Sequence, residues 1–184
     1  MQGAISSWTK PWLDDVPEIP APVEKDVKFP AEDEDKELIV YVGFRGPSAI
    51  NEVQTVAAIR ILLEYLVDST VSPLQLAFVE NEDPTCSGVS YAEMENSRTT
   101  FYLEFEGVHP EKKSDLLPKL KTTLEKQVRK FDLERMKDVI KKNYQEELSS
   151  MENTPQNSIA YAIIGDFLYG KDDKEVVSAI NFHF

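Results

Sequence analysis

The chain has almost none of the residues from which metal and thiol sites are made: its 184 residues include one cysteine and two histidines. A catalytic zinc needs three protein ligands and an open position, and neither HExxH nor HxxEH occurs. His109-Pro110-Glu111 has the H-x-E order of a zinc deaminase, but the pair of cysteines that completes that motif is absent. His109 reads instead as a surface residue at a helix start. A single cysteine, Cys86, excludes an internal disulfide framework and fits a reducing compartment. Positive charge is scarce too. Twenty Lys and Arg against 33 Asp and Glu leave a net charge of −13 and a pI near 4.6, which argues against nucleic acid or an anionic membrane as a partner. No apolar run reaches the length that spans a bilayer. The N-terminus shows neither the cationic-then-apolar order of a secretory signal nor the basic character of a mitochondrial transit peptide. The expectation is an intracellular globular chain, cytoplasmic in preference to mitochondrial.

Catalytic motifs are equally thin. No G-x-S-x-G nucleophile elbow is present. Gly43-Phe44-Arg45-Gly46 is half of a glycine-rich loop, without the third glycine or the lysine that phosphate binding requires. Cys86 opens a predicted buried strand, where a free cysteine behaves as a small hydrophobe. The carboxylates and lysines between Glu111 and Glu147 fall on helix surfaces as solvated charge.

What the sequence does contain is strong local patterning. Five of the eleven prolines lie within residues 1–30, so residues 1–35 are expected to form an extended, acidic, proline-rich linker. Trp8 and Trp12 suggest that part of it docks on a surface, with a floppy linker as the alternative. Residues 36–184 then read as a partial α+β domain. Residues 38–44 are β-branched and aromatic, apolar on both faces as in a central strand. Gly43, Gly46 and Pro47 are expected to end that strand and turn the chain into a helix.

Val53, Val56, Ala57, Ile59, Leu62, Leu63, Leu66 and Val67 cover most of that helix, leaving a narrow polar stripe of Arg60, Glu64 and Asp68. Ser72-Pro73-Leu74-Gln75 predicts a second, short helix with a capping box. Residues 86–94 and 99–107 should pair as an antiparallel hairpin, with Phe101, Leu103 and Phe105 alternating against Tyr102, Glu104 and Glu106.

Leu116, Leu120, Leu124 and Val128 predict the next helix, with Pro118 marking its first turn. Asp132 should cap another that carries Met136, Val139, Ile140, Tyr144 and Leu148. Thr154-Pro155 starts one more, stopped by Gly170, and residues 172–184 begin a last. The expected class is α+β, an antiparallel-rich sheet with helices packed on one face.

Four phrases in order carry a family likeness: Gly43-Phe-Arg-Gly-Pro47, Leu62-Leu-Glu-Tyr-Leu-Val-Asp-Ser69, Ser72-Pro-Leu-Gln75 through Glu80-Asn-Glu-Asp-Pro84, and Ile164-Gly-Asp-Phe-Leu-Tyr-Gly170. Together they make nearly the whole chain resemble the insulinase (pitrilysin) family of zinc metallopeptidases, in its branch of large cytosolic and presequence-protease-like members. The resemblance implies repeated α+β units closed around a peptide chamber. One unit carries the inverted zinc motif, and a following, non-catalytic unit lines the chamber. It is this second unit that the chain is similar to, and no zinc ligand or catalytic glutamate of the family maps onto it.

The implied role is therefore a chamber-lining, non-catalytic part of such a peptidase. It would bind no cofactor itself, zinc belonging to the full-length family, and its partners would be the remaining domains and a peptide substrate. Gly43, Phe44, Arg45 and Gly46 are the candidate substrate contacts, because a strand end leaves backbone groups able to pair with an extended peptide. The plainer alternative is that Gly43 and Gly46 only shape a turn. At the level of the whole protein, two alternatives stand beside this role. One is a stand-alone acidic interaction module that uses its sheet edge or N-terminal tail; the other is a hydrolase working through Cys86 or a serine. If the chain is a chamber wall, the purified protein is expected to hold no stoichiometric zinc and to cleave no peptide. One tightly held zinc per chain in metal analysis would refute this.

Overall fold

The computed structural model describes residues 18–29, 37–49, 51–94, 98–157, 159–160 and 163–164. Trp8, Trp12, the boundary between linker and domain near residue 35, most of the Ile164 to Gly170 phrase and the helix expected over 172–184 lie outside these residues.

Strand β3 (Thr100–Val108) sets the architecture. Successive side chains in a strand point to opposite faces, and Phe101, Leu103 and Phe105 are all buried while Glu106 on the other face is exposed. β3 pairs antiparallel with β1 (Leu38–Arg45) on one side and with β2 (Gly88–Met94) on the other, giving the order β1-β3-β2. The hairpin expected from the sequence is thus β2 with β3, with Gly88 opposite Glu106 and Met94 opposite Thr100.

Two expectations for β1 are corrected. Among the described residues it is an edge strand of the sheet, not a central one: Val40 and Val42 pack against the core, while Ile39 and Tyr41 are exposed on the other face. Nor does Gly43 end it, since pairing continues through Gly43 opposite Tyr102 to Arg45 opposite Thr100.

Helices α1 (Val53–Val67) and α2 (Pro73–Phe78) supply Val56, Leu63, Leu66, Leu74 and Phe78 to the core on the β3 phenylalanine face. The Phe78 and Phe105 rings meet with centroids 5.0 Å apart. Helix α3 (Lys113–Arg129) adds Leu116 and Leu120, and α4 (Leu133–Asn153) adds Val139. The fold is α+β: the described residues form a three-stranded antiparallel sheet with helices on one face. The stripe on α1 faces other elements. Arg60 pairs with Glu93 of β2, and Lys142 of α4 reaches Asp68 at 2.7 Å and Glu64, itself nearly buried, at 3.9 Å.

The capping box expected for α2 does not form. Ser72 Oγ accepts from Ser69 N at 2.8 Å and from Arg135 Nη2 at 2.5 Å. Gln75 Nε2 donates to the Val67 and Val89 carbonyls, tying α1 to β2. Arg135 also donates to the carbonyls of Val71 and Tyr65, and its guanidinium lies over the Tyr65 ring. Tertiary partners outcompete the local cap because the half-buried Arg135 guanidinium carries five N–H donors in a fixed fork, and Ser72 Oγ with the two carbonyls satisfies several of them at once.

Asp132 does cap α4 as expected, its side chain accepting from Arg135 N at 3.1 Å. Pro118 lies inside α3, beyond its first turn, because a 3₁₀ turn at Pro110–Lys112 leads into a helix that starts at Lys113. Val128, expected on the apolar face, is 84% exposed where α3 runs past the core. Residues 155–157, 159–160 and 163–164 are helical, in keeping with a helix start at Thr154-Pro155.

The two glycines of the β1 phrase differ physically. A Cβ on Gly46 would run into the Phe101 ring, whereas one on Gly43 would meet nothing closer than Phe101 O at 3.9 Å. Gly46→Ala is therefore expected to destabilise by about 1–3 kcal/mol through overpacking. Gly43→Ala should be neutral, or stabilising by up to about 1 kcal/mol through lost unfolded-state entropy. Urea unfolding of both variants checks this, and equal losses would contradict it.

Candidate functional site

Beside the C-terminal end of β1 lies a groove of about 560 Å³, lined by residues 18–23 together with Gly43, Phe44, Arg45 and Arg98. Its construction follows from strand alternation. Tyr41, Gly43 and Arg45 share the face of β1 turned away from the buried phenylalanines. Tyr102 and Thr100 sit opposite Gly43 and Arg45 on that same face. Gly46 N donates to Thr99 O at 2.7 Å and Thr99 N to Pro47 O at 3.0 Å, so the pairing extends past the strand ends and keeps Arg98 near Arg45. The missing side chain at Gly43 leaves a gap between Tyr41 and Arg45.

Tyr41 and Tyr102 meet edge to face, with centroids 5.7 Å apart. The Tyr41 hydroxyl donates to Glu104 Oε1 at 2.7 Å, and that hydrogen bond raises the hydroxyl's pKa above its usual range. Phe44 stacks on Phe101 at 5.7 Å and is still 41% exposed.

The opposite wall is the proline-bearing lead-in. Pro20 and Pro22 have no amide hydrogen to offer a strand partner. Among the described residues, no backbone hydrogen bond joins residues 18–29 to β1. The segment is held further along by Lys113, which reaches Asp26 at 2.5 Å and Glu24 at 3.6 Å. The hydrogen bond to Asp26 is the chief cause of an upward shift in the Lys113 pKa. Both carboxylates are well exposed, so this tether is a surface ion pair that contributes little and is screened by salt.

Three of the four residues singled out from sequence, Gly43, Phe44 and Arg45, line the groove. Gly46 does not; its close approach to Phe101 gives it a packing role. Arg98 and residues 18–23 were missed. Alternation counted back from Thr100 places Arg98 on the face of Tyr102, but nothing in the local pattern of residues 18–23 says which surface they lie along.

Among the described residues, no group of three or more His, Cys, Asp or Glu is arranged to hold a metal ion. Cys86 is buried, its Sγ 3.9 Å from the Phe78 carbonyl, and burial pushes its thiol up to about 11. Among the described residues, no helix is long and apolar enough to cross a membrane.

No family model matches the chain. It is similar to an uncharacterized protein of Schizosaccharomyces pombe, 35% identical over 166 residues, which cover 89% of this chain and 16% of that protein. An uncharacterized protein of Caenorhabditis elegans is 32% identical over 157 residues, 82% of this chain and 15% of its own length. One of Saccharomyces cerevisiae is 27% identical over 154 residues, 82% of this chain and 14% of its own. The chain thus spans about a sixth of the length of the curated relatives it matches.

Burial of Cys86 gives a chemical expectation. Folding favours the neutral thiol, so this stabilisation is complete below the unfolded thiol's pKa and is lost as pH rises from the ordinary thiol range to about 11. At about pH 8, iodoacetamide should leave the folded chain unmodified and label it only after denaturation. Rapid labelling of the native protein would overturn this account of Cys86.

Proposed function

We propose that this chain is a non-catalytic, chamber-lining part of an insulinase-family zinc metallopeptidase, contributing structure and peptide contacts while the zinc chemistry belongs to another unit. The observation that carries this is the ratio of lengths: relatives match nearly all of the chain with about a sixth of their own sequence. That relation is what one unit of a multi-unit protein produces. The sheet supports it. Among the described residues β1 and β2 each have one paired side, and an unpaired strand edge invites a further strand. In the proposed setting the other units supply such strands, and the groove beside Gly43, Phe44 and Arg45 faces peptide.

A stand-alone interaction module draws on the same open edges and is the second reading. The two part on the size of the native polypeptide. Immunoblotting of source cells with an antibody raised against residues 99–107 is expected to show a band far above 20.9 kDa. A band at 20.9 kDa would refute the chamber wall and leave the interaction module.

A further inference from the structure

We propose that the gap at Gly43 is a subsite for a carboxylate-bearing residue of an extended peptide. The carboxylate would seat on Arg45 and Arg98, and a neighbouring apolar residue would lie against Phe44 and the prolines of the opposite wall. This rests on the peptide-contact role given to the groove above and adds the chemistry of what it holds.

Three observations carry it. Gly43 lies inside a paired strand with no positive φ and no neighbour close enough to exclude a side chain. A glycine so placed opens room for another group to approach the backbone. The lining is also richer in cations than the molecule: in a chain of net charge −13, the groove is lined by two guanidinium groups, of which Arg45 has a partner of its own, and one carboxylate, Glu18. Among the described residues Arg98 makes no hydrogen bond or ion pair. Planar guanidinium groups match a carboxylate in two parallel hydrogen bonds, which favours this ligand over a cationic one.

The third observation is the lining. The groove lies beside a strand whose far side has no backbone partner among the described residues, and Ile19, Pro20, Pro22, Val23 and Phe44 give it apolar walls. A free anion would use only the arginines, whereas an extended chain uses the arginines, the apolar walls and the strand's outward amides together. Peptide entry along β1 is eased by the lead-in, which is held there without a backbone ladder.

The test is fluorescence anisotropy on the full 184-residue chain with a fluorescein-labelled peptide, Thr-Val-Thr-Ile-Asp, bearing a free C-terminus. C-terminal amidation and Asp-to-Asn replacement, singly and together, distinguish a terminal from a side-chain carboxylate. Binding is expected for at least one singly modified peptide, with about a tenfold or greater loss when both carboxylates are neutralised. Arg98→Gln should weaken binding by a similar factor without moving the unfolding midpoint, since Arg98 is exposed. Gly43→Val should block it by filling the gap. Equal binding of the neutral or a lysine-bearing peptide, no effect of Arg98→Gln, or no binding of the carboxylate peptides would each overturn the proposal. Acetate or inorganic phosphate at low millimolar concentration displacing the peptide fully would reduce the site to a free-anion site and overturn it as well. The chamber-wall role stands apart from these outcomes, because the size of the native polypeptide decides it.

Discussion

Burial of one face of β3 is the constraint on which the rest of the structure depends. Phe101, Leu103 and Phe105 are each almost wholly removed from water, and burying a large apolar side chain contributes on the order of 1.5–3 kcal/mol. Covering them requires α1 and α2 on one side of the sheet, and β1 and β2 along both edges of the strand. Because side chains alternate, the same choice sends Tyr102, Glu104 and Arg98 to the opposite face. The groove is therefore a by-product of the core: once the phenylalanines are buried, Gly43, Arg45 and Arg98 are brought to one place.

Around that core the helices are fastened by polar contacts that span long sequence separations. Arg135, on α4, satisfies carbonyls of Tyr65 and Val71 and the hydroxyl of Ser72, so the α1–α2 connection and α4 order each other. Gln75 does the same between the end of α1 and β2. Such partly buried networks are worth most when every member is paired, and removing one member leaves the others unsatisfied. They tie the helices to one another and to β2. The sheet's outer face, by contrast, bears exposed tyrosine, a missing side chain and a lead-in segment held mainly by a surface ion pair.

That division of labour fits a wall element. In the proposed setting the packed helices would support a surface that meets peptide, while the one cysteine is withdrawn from reaction by burial. Chemistry, in the proposed setting, lies on a different unit, and what this one adds is position and affinity for an extended chain. Binding energy of that kind is useful to a peptidase because contacts remote from the scissile bond hold the substrate in register.

Much of the fold was legible in the sequence. Strict alternation in residues 100–106 fixed which face of β3 is buried, and the hydrophobic spacing of residues 53–67 and 133–148 fixed two helices, because those patterns depend only on local geometry. Asp132 as a cap was readable for the same reason. What the sequence left undecided were choices between partners. Whether β1 lies at the centre or the edge depends on which strand β3 accepts on each side, and an apolar run looks alike in either place. Ser72 and Gln75 have the spacing of a capping box, yet Arg135 and the carbonyls of Val67 and Val89 take them instead. The groove itself is the clearest case. Gly43, Phe44 and Arg45 were visible as a phrase, but Arg98 and residues 18–23 join them only through strand pairing and the course of the lead-in. Local sequence determines periodicity and caps; tertiary structure alone determines which distant side chains share a surface, because that is settled by packing the whole core at once.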